Sequence, residues 1–89
     1  RIAVYLYVPV GNGQTGLWWT KPTYQRRYTN ISCDGSWSTN ITTGEKDHTA
    51  SRIAAYLLPR DYKAPLAKGI PNLPSELKVI AIAKVEAVR

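Results

Sequence analysis

Hydrophobic and polar positions alternate along the first residues of the chain, in the segment IAVYLYV that spans residues 2–8. Consecutive strand residues point to opposite faces of a sheet. The even-numbered aliphatic residues therefore share one face, and Ala3, Tyr5 and Tyr7 share the other. This pattern predicts a strand whose aliphatic face packs on the core and which ends at Pro9, where the ladder loses a backbone donor.

Turn signals divide the middle of the chain into further short segments. The glycine-rich residues 11–16 predict a hairpin that leads into a second strand over 17–21, which a proline then closes. Asp34-Gly35 predicts a tight turn. Further strands are predicted over residues 29–33 and 36–42, with Trp37, Thr39 and Ile41 on one face of the second segment. The alanines of residues 50–59 permit a helix, but Pro59 and the short length of the segment favour a strand.

The last third of the chain has a mixed pattern. Residues 59–75 hold four of the six prolines and predict a long irregular crossover. Residues 76–88 read ELKVIAIAKVEAV and alternate over part of their length, although their Ala, Leu, Lys and Glu also tolerate a helix. About five to seven short strands predict an all-β fold: an antiparallel β-sandwich of two sheets, jelly-roll or Ig-like, or a small barrel.

Length and charge limit the protein further. A chain of 89 residues forms one small domain with a modest core, and no apolar run reaches the roughly 18 residues of a membrane span. Because the sequence opens directly on a strand pattern, residues 1–89 are expected to be a single module cut from a longer polypeptide. The formal charge of +6 suggests an anionic partner, but the cations are scattered, as on a solvated surface.

The adjacent tryptophans in GLWWTKPTYQRRY pose a question of orientation. If residues 17–21 form a strand, Trp18 and Trp19 point to opposite faces. Lysine is rarely buried, so the face that Trp19 shares with Lys21 is predicted to meet solvent. Pairing with the first strand would then place Trp19 beside Tyr5 and Tyr7 on one exposed aromatic face, with Trp18 toward the core. Aromatic side chains that cover the rim of a small core are the alternative.

A flat aromatic face suits sugar binding, because the axial C–H groups of a β-linked glucose ring stack on the negative face of an aromatic ring. A slip of one residue would exchange the two faces, so both tryptophans are kept as candidates. Candidate stacking residues are Trp19, Trp18, Tyr7, Tyr24, Tyr5 and Tyr28. Candidate hydrogen-bonding residues are Gln25, Lys21, Arg26 and Asn12. Single-stranded nucleic acid also stacks on aromatic side chains beside cations.

Catalytic chemistry is not indicated, because the six acids are spread over turns and ends and no nucleophile motif is present. We therefore expect a protein that is not an enzyme and needs no cofactor. Asp34, Glu45 and Asp47 could supply oxygen ligands to a structural Ca²⁺, or could bond their own turns, and this choice stays open. Cys33 is the sole cysteine and is expected to be a small buried residue.

Residues 17–60 resemble a bacterial module of secreted polysaccharide-degrading proteins. The resemblance rests on WWTKP, DGSWS, a following TG and IAAYLLP, with PNLPSEL as a further match. It is greatest to the carbohydrate-binding modules of family eighty-one, β-sandwiches attached to endoglucanases. In that pattern Trp18 matches a Trp, Trp19 stands in place of a Tyr, and Lys21 replaces a Gln. Trp37 matches the Trp of the D-G-x-W-S segment and is expected to fill the core.

The resemblance implies a secreted, extracellular bacterial protein whose partners are a β-glucan and an appended glycoside hydrolase. Its ligands would be β-1,4-glucan, mixed-linkage glucan, xyloglucan and cello-oligosaccharides, and it would target the hydrolase to plant cell wall. A single-stranded nucleic-acid or polyanion-binding module and a structural Ig-like spacer are the alternatives.

Overall fold

A computed structural model describes residues 1–10, 15–44 and 47–88 of the chain. Five strands and one short helix lie in these ranges. They are β1 (Ile2–Val10), β2 (Thr15–Lys21), β3 (Arg52–Leu57), β4 (Lys68–Ile70), α1 (Glu76–Ile80) and β5 (Ala83–Val88), with a 3-10 turn at Asp47–Thr49. The helix is far too short to cross a membrane, and no other helix in the described ranges could do so.

The five strands form one antiparallel sheet in the order β4-β2-β1-β3-β5. The all-β prediction is therefore confirmed, while the described residues contribute one sheet and not two. The predicted hairpin between β1 and β2 is present, although most of its turn lies outside the described residues. The predicted strand at 50–59 corresponds to β3.

β1 is the central strand, and both of its faces are covered. Ala3 and Tyr5 are as buried as Val4 and Leu6, all at 1% exposure or less. The prediction of a solvent-facing tyrosine side was wrong for Tyr5, because a central strand packed on both faces buries odd and even positions alike. Pro9 does not end the pairing but lies opposite a β2 glycine, since a proline removes only its own donor from the ladder.

Two separate layers cover the two faces of the sheet. The Tyr5 face packs against the chain after β3 and against α1, through Leu58, Ala64, Ala67 and Leu77. The Leu6 face packs against the chain between β2 and β3, through Ile41 and Ala50. Where a sandwich would have its second sheet, this protein has an irregular layer.

The irregular layer replaces the strands predicted at 29–33 and 36–42. Among the described residues of this layer, an isolated β-bridge joins Thr29 to Ile2 of β1. Asp34 accepts hydrogen bonds from the Ser36 amide (2.9 Å) and hydroxyl, and Gly35 has φ +87°, so the chain turns tightly here as predicted. The exposed backbone around this turn leaves Cys33 exposed and not buried, which corrects the prediction for that residue.

The C-terminal segment contains both structures that its pattern allowed. Residues 76–80 form α1, whose Leu77 is fully buried, and residues 83–88 form the strand β5. The crossover predicted at 59–75 is irregular except for the three residues of β4, which extend the sheet beside β2.

The buried Tyr5 hydroxyl predicts a dependence of stability on alkaline pH. It donates a hydrogen bond of 2.7 Å to the Pro65 carbonyl. Burial, with a smaller effect of the neighbouring Tyr62 and Tyr28 phenols, raises the pKa of Tyr5 well above its usual value. Because the unfolded phenol ionises near pH 10 and the folded one does not, its stabilising effect is complete below about pH 10 and is lost above it.

We expect Tyr5→Phe to lower the free energy of unfolding by about 1 kcal/mol at neutral pH, because the Pro65 carbonyl loses its donor. Above about pH 10 this deficit should shrink by up to about 1.4 kcal/mol per pH unit and then reverse. Urea denaturation of both proteins from pH 7 upward measures the difference, in which the lysine titrations common to both cancel. A difference that stays constant through this range would contradict the assignment.

Candidate functional site

The register between β1 and β2 decides which tryptophan joins the tyrosines. Tyr7 lies opposite Trp18, and Leu6 lies opposite Trp19. The sheet therefore places Trp18 on the tyrosine face and Trp19 on the aliphatic face. The sequence had predicted the opposite, with Trp19 beside the tyrosines. The predicted exposed face of Trp19, Tyr5 and Tyr7 does not form.

The reversal follows from Lys21, whose side chain is buried and not in solvent. Its ammonium group forms a salt bridge with the Asp47 carboxylate, which is also buried. Asp47 accepts a second hydrogen bond from the Gly44 amide (2.6 Å), and Lys21 is 3.3 Å from the Thr43 hydroxyl. A lysine with such partners can be buried, so Lys21 does not identify the solvent-facing side of β2.

On the opposite face, Trp18 and Tyr7 pack together with their ring centroids 5.0 Å apart. The Arg52 guanidinium carbon lies 5.1 Å from the Trp18 ring centroid and 5.3 Å from that of Tyr7. Trp18 is 6% exposed and belongs to the core cluster that contains Tyr5. Tyr5 and Trp18 are thus buried in the core, and Tyr7 is half-buried against Trp18.

Trp19 instead lines a cavity of about 200 Å³ beside the end of β2, together with Lys21, Tyr24 and Gln25. The indole packs closely against β4. A Cβ atom added to Gly69 would lie 2.9 Å from Trp19 Cη2, and Gly69 also has φ +79°, so a side chain is excluded there. The close approach of the indole to β4 therefore depends on Gly69, a residue that no sequence motif predicted to be important.

A second and larger cavity, of about 640 Å³, adjoins the first and shares Pro22 and Gln25 with it. Arg26 and Tyr28 line this second cavity. We call the two cavities together the Gln25 cleft. Six of the ten predicted binding residues line it: Trp19, Lys21, Tyr24, Gln25, Arg26 and Tyr28. Asn12, also predicted, lies outside the described residues.

The aromatic side chains of the cleft are held by specific contacts. Lys68 places its ammonium 5.0 Å from the Tyr24 ring centroid. The Tyr28 hydroxyl donates to the Tyr62 carbonyl (3.1 Å) and accepts from the Ala64 amide (2.7 Å), which ties the cleft to the chain after β3. Gln25 and Arg26 are exposed and free to meet a ligand. The cleft thus offers half-buried aromatic rings with amide and guanidinium donors around them.

Trp37 is the aromatic residue whose exposure the sequence did not predict. All nine aromatic residues lie in the described ranges, and among them Trp37 alone is classed as exposed, at 39%. It lines an apolar groove of about 200 Å³ with Ile31, Leu57 and Val85, which we call the Trp37 groove. The prediction that Trp37 fills the core was wrong, because residues 36–42 form no strand and it is Ile41, not Trp37, that packs against the sheet.

The acidic residues considered for Ca²⁺ are each engaged differently. Asp47 is paired with Lys21, and Asp34 bonds its own turn at Ser36, where these hydrogen bonds lower its pKa below the usual value. Glu45 lies outside the described residues. Within the described ranges, no three residues of His, Cys, Asp or Glu come together as a metal site would require.

Comparison of the chain with protein-family models, with curated proteins and with solved structures found no match.

Proposed function

We propose that the chain is a non-catalytic carbohydrate-binding module that binds β-glucan chains in the Gln25 cleft. The observation that carries the proposal is the convergence there of six residues chosen from the sequence for sugar binding. In this proposal the protein is a secreted bacterial module that resembles family eighty-one. It brings an appended glycoside hydrolase to plant cell wall and raises the local substrate concentration by tethering.

The chemistry of the cleft supports a sugar ligand. Carbohydrate sites combine apolar ring faces with polar groups at fixed positions around them. Tyr24 and Trp19 supply half-buried rings at one end, and Gln25 and Arg26 supply exposed donors next to them. We propose a sandwich-like fold. The irregular layer, which includes Ile41, lies where a sandwich would have its second sheet.

Affinity electrophoresis on mixed-linkage glucan and on xyloglucan tests the proposal. We expect both to retard the wild-type protein. Tyr24→Ala should weaken binding by about tenfold, as expected when truncation of a key aromatic contact costs more than about 1 kcal/mol. Gln25→Ala removes an exposed donor and should weaken binding less. Thermal unfolding checks that both variants remain folded.

Trp37→Ala is the matched control, because it removes an exposed aromatic residue outside the cleft. It should leave the retardation unchanged. No retardation of the wild-type protein in either glucan would refute the proposal, and loss of binding in Trp37→Ala alone would place the site in the Trp37 groove.

A polyanion is the second candidate ligand, because the cleft and its surroundings are basic. Arg1, Arg27, Arg60 and Lys63 line a neighbouring cavity of about 420 Å³ with Tyr28. Retardation by single-stranded nucleic acid but not by glucan, abolished by salt, would favour this function. Absence of binding to either polymer would favour a structural spacer.

A further inference from the structure

β5 forms an open edge of the sheet. It pairs with β3 on one side, and no strand in the described ranges pairs with its other side. All six of its residues are exposed, and Val85 and Val88 are 64% and 82% exposed. Ile82, just before the strand, is 68% exposed. An exposed strand edge with apolar side chains is a template for pairing with another strand.

The sequence of β5, AKVEAV, is complementary to itself when two copies pair antiparallel. A two-fold axis perpendicular to the sheet keeps each face on its own side, so residues of the same face must lie opposite each other. With the axis at Val85, Lys84 of one copy lies opposite Glu86 of the other, and Glu86 opposite Lys84. Lys84 and Glu86 lie on one face, since they pair with Tyr56 and Ala54 of β3.

The apolar residues agree with the same register. Val85 meets Val85 on the axis, Ala83 meets Ala87, and Ile82 meets Val88. A shift by two positions in either direction would place Lys84 opposite Lys84 or Glu86 opposite Glu86, and like charges directly opposite each other destabilise a strand pair. Charge therefore favours this register over both of its face-matched neighbours.

We propose that β5 is a homodimer interface, in which two copies join edge to edge through Lys84–Glu86 pairs into a continuous ten-stranded antiparallel sheet. Val85 also lines the Trp37 groove, so the grooves of both copies meet on one face of the extended sheet. β2, which carries part of the Gln25 cleft, is separated from β5 by β1 and β3. Both clefts therefore stay open in the dimer.

Charge exchange at the two positions tests the interface. We expect wild-type protein to dimerise with increasing concentration in sedimentation equilibrium. Lys84→Glu and Glu86→Lys should each weaken this self-association by about tenfold or more, because each places like charges opposite each other. An equimolar mixture of the two variants should form a heterodimer, and the double variant K84E/E86K should dimerise as the wild type does. Both positions are exposed, so at concentrations where the wild type is monomeric the variants should unfold at the wild-type temperature. Where the wild type is dimeric, self-association itself should raise its unfolding temperature above that of the variants.

Cross-linking tests the register. In a Cys33→Ser background, Val85→Cys should form an intermolecular disulfide on oxidation, because it meets itself on the axis. Ala87→Cys should not, because it lies opposite Ala83. A wild-type protein that stays monomeric at every attainable concentration, or a dimer unaffected by Lys84→Glu, would overturn the proposal. Cross-linking of Ala87→Cys in place of or equal to Val85→Cys would overturn the register.

Discussion

Asp47→Ala should lower the free energy of unfolding by about 3–5 kcal/mol, because it leaves the Lys21 ammonium buried without its counter-charge. The Lys21 side chain is 7% exposed, and its remaining described partner is the Thr43 hydroxyl at 3.3 Å. The Gly44 amide also loses its acceptor. A small domain has a total stability of about 5–15 kcal/mol, so the loss is a large part of the whole. Thermal or urea denaturation measures it.

Two further variants test whether the unpaired Lys21 charge causes this loss of stability. Lys21→Met in the Asp47→Ala background removes that charge and should recover more than half of the lost stability. Asp34→Ala, an aspartate in an exposed turn, should change the unfolding midpoint little. Equal losses in Asp47→Ala and Asp34→Ala, or no recovery in the double variant, would contradict the importance of the buried pair.

Leu77→Ala should cost about 2–5 kcal/mol, the usual range for a fully buried leucine. Leu77 is completely buried in the cluster that holds Tyr5 and Trp18, and it anchors α1, a helix of five residues. A helix of this length does not persist in water without packing. Loss of the anchor should therefore release the helix as well as leave a cavity. Urea denaturation followed by tryptophan fluorescence measures the change.

Val79→Ala is the control within the same helix. Val79 is 85% exposed, so its truncation should change the free energy of unfolding by no more than about 0.5 kcal/mol. Alanine has a higher helix propensity than valine, so propensity alone would not make Val79→Ala destabilising. A cost for Val79→Ala as large as that for Leu77→Ala would contradict the assignment of Leu77 as the anchor of α1.

Local patterns predicted much of the sheet. Alternation identified β1, and turn and proline signals predicted strands where β2 and β3 lie. The Asp34-Gly35 turn formed where its residue types indicated. These elements depend on neighbours in sequence, which a single chain reveals. The strands predicted around Trp37 did not form, because side-chain alternation there has no partner strand to hydrogen-bond with.

The orientation of the tryptophans depended on a residue far along the chain. Lys21 was taken to face water because lysine usually does. It is buried because Asp47, which lies 26 positions away in sequence, meets it in the folded protein. Tyr5 shows the same limit: its burial needs Pro65 as acceptor, 60 positions away. Contacts between residues so far apart in sequence do not change the hydrophobic periodicity of either segment, so the pattern of one segment does not predict them.

Gly69 limits which residues beside the Trp19 indole can be substituted if the proposed ligand specificity of the Gln25 cleft is to be changed. On the β4 side, any residue with a Cβ would collide with the Trp19 indole and adopt a backbone conformation unfavourable for L-amino acids. Position 69 therefore tolerates little variation. Variation at Tyr24 and Gln25, which line the cleft directly, is not restricted in this way. A library randomised at those two positions leaves Gly69 in place, whereas substitutions at position 69 would introduce backbone strain and a close contact with the Trp19 indole.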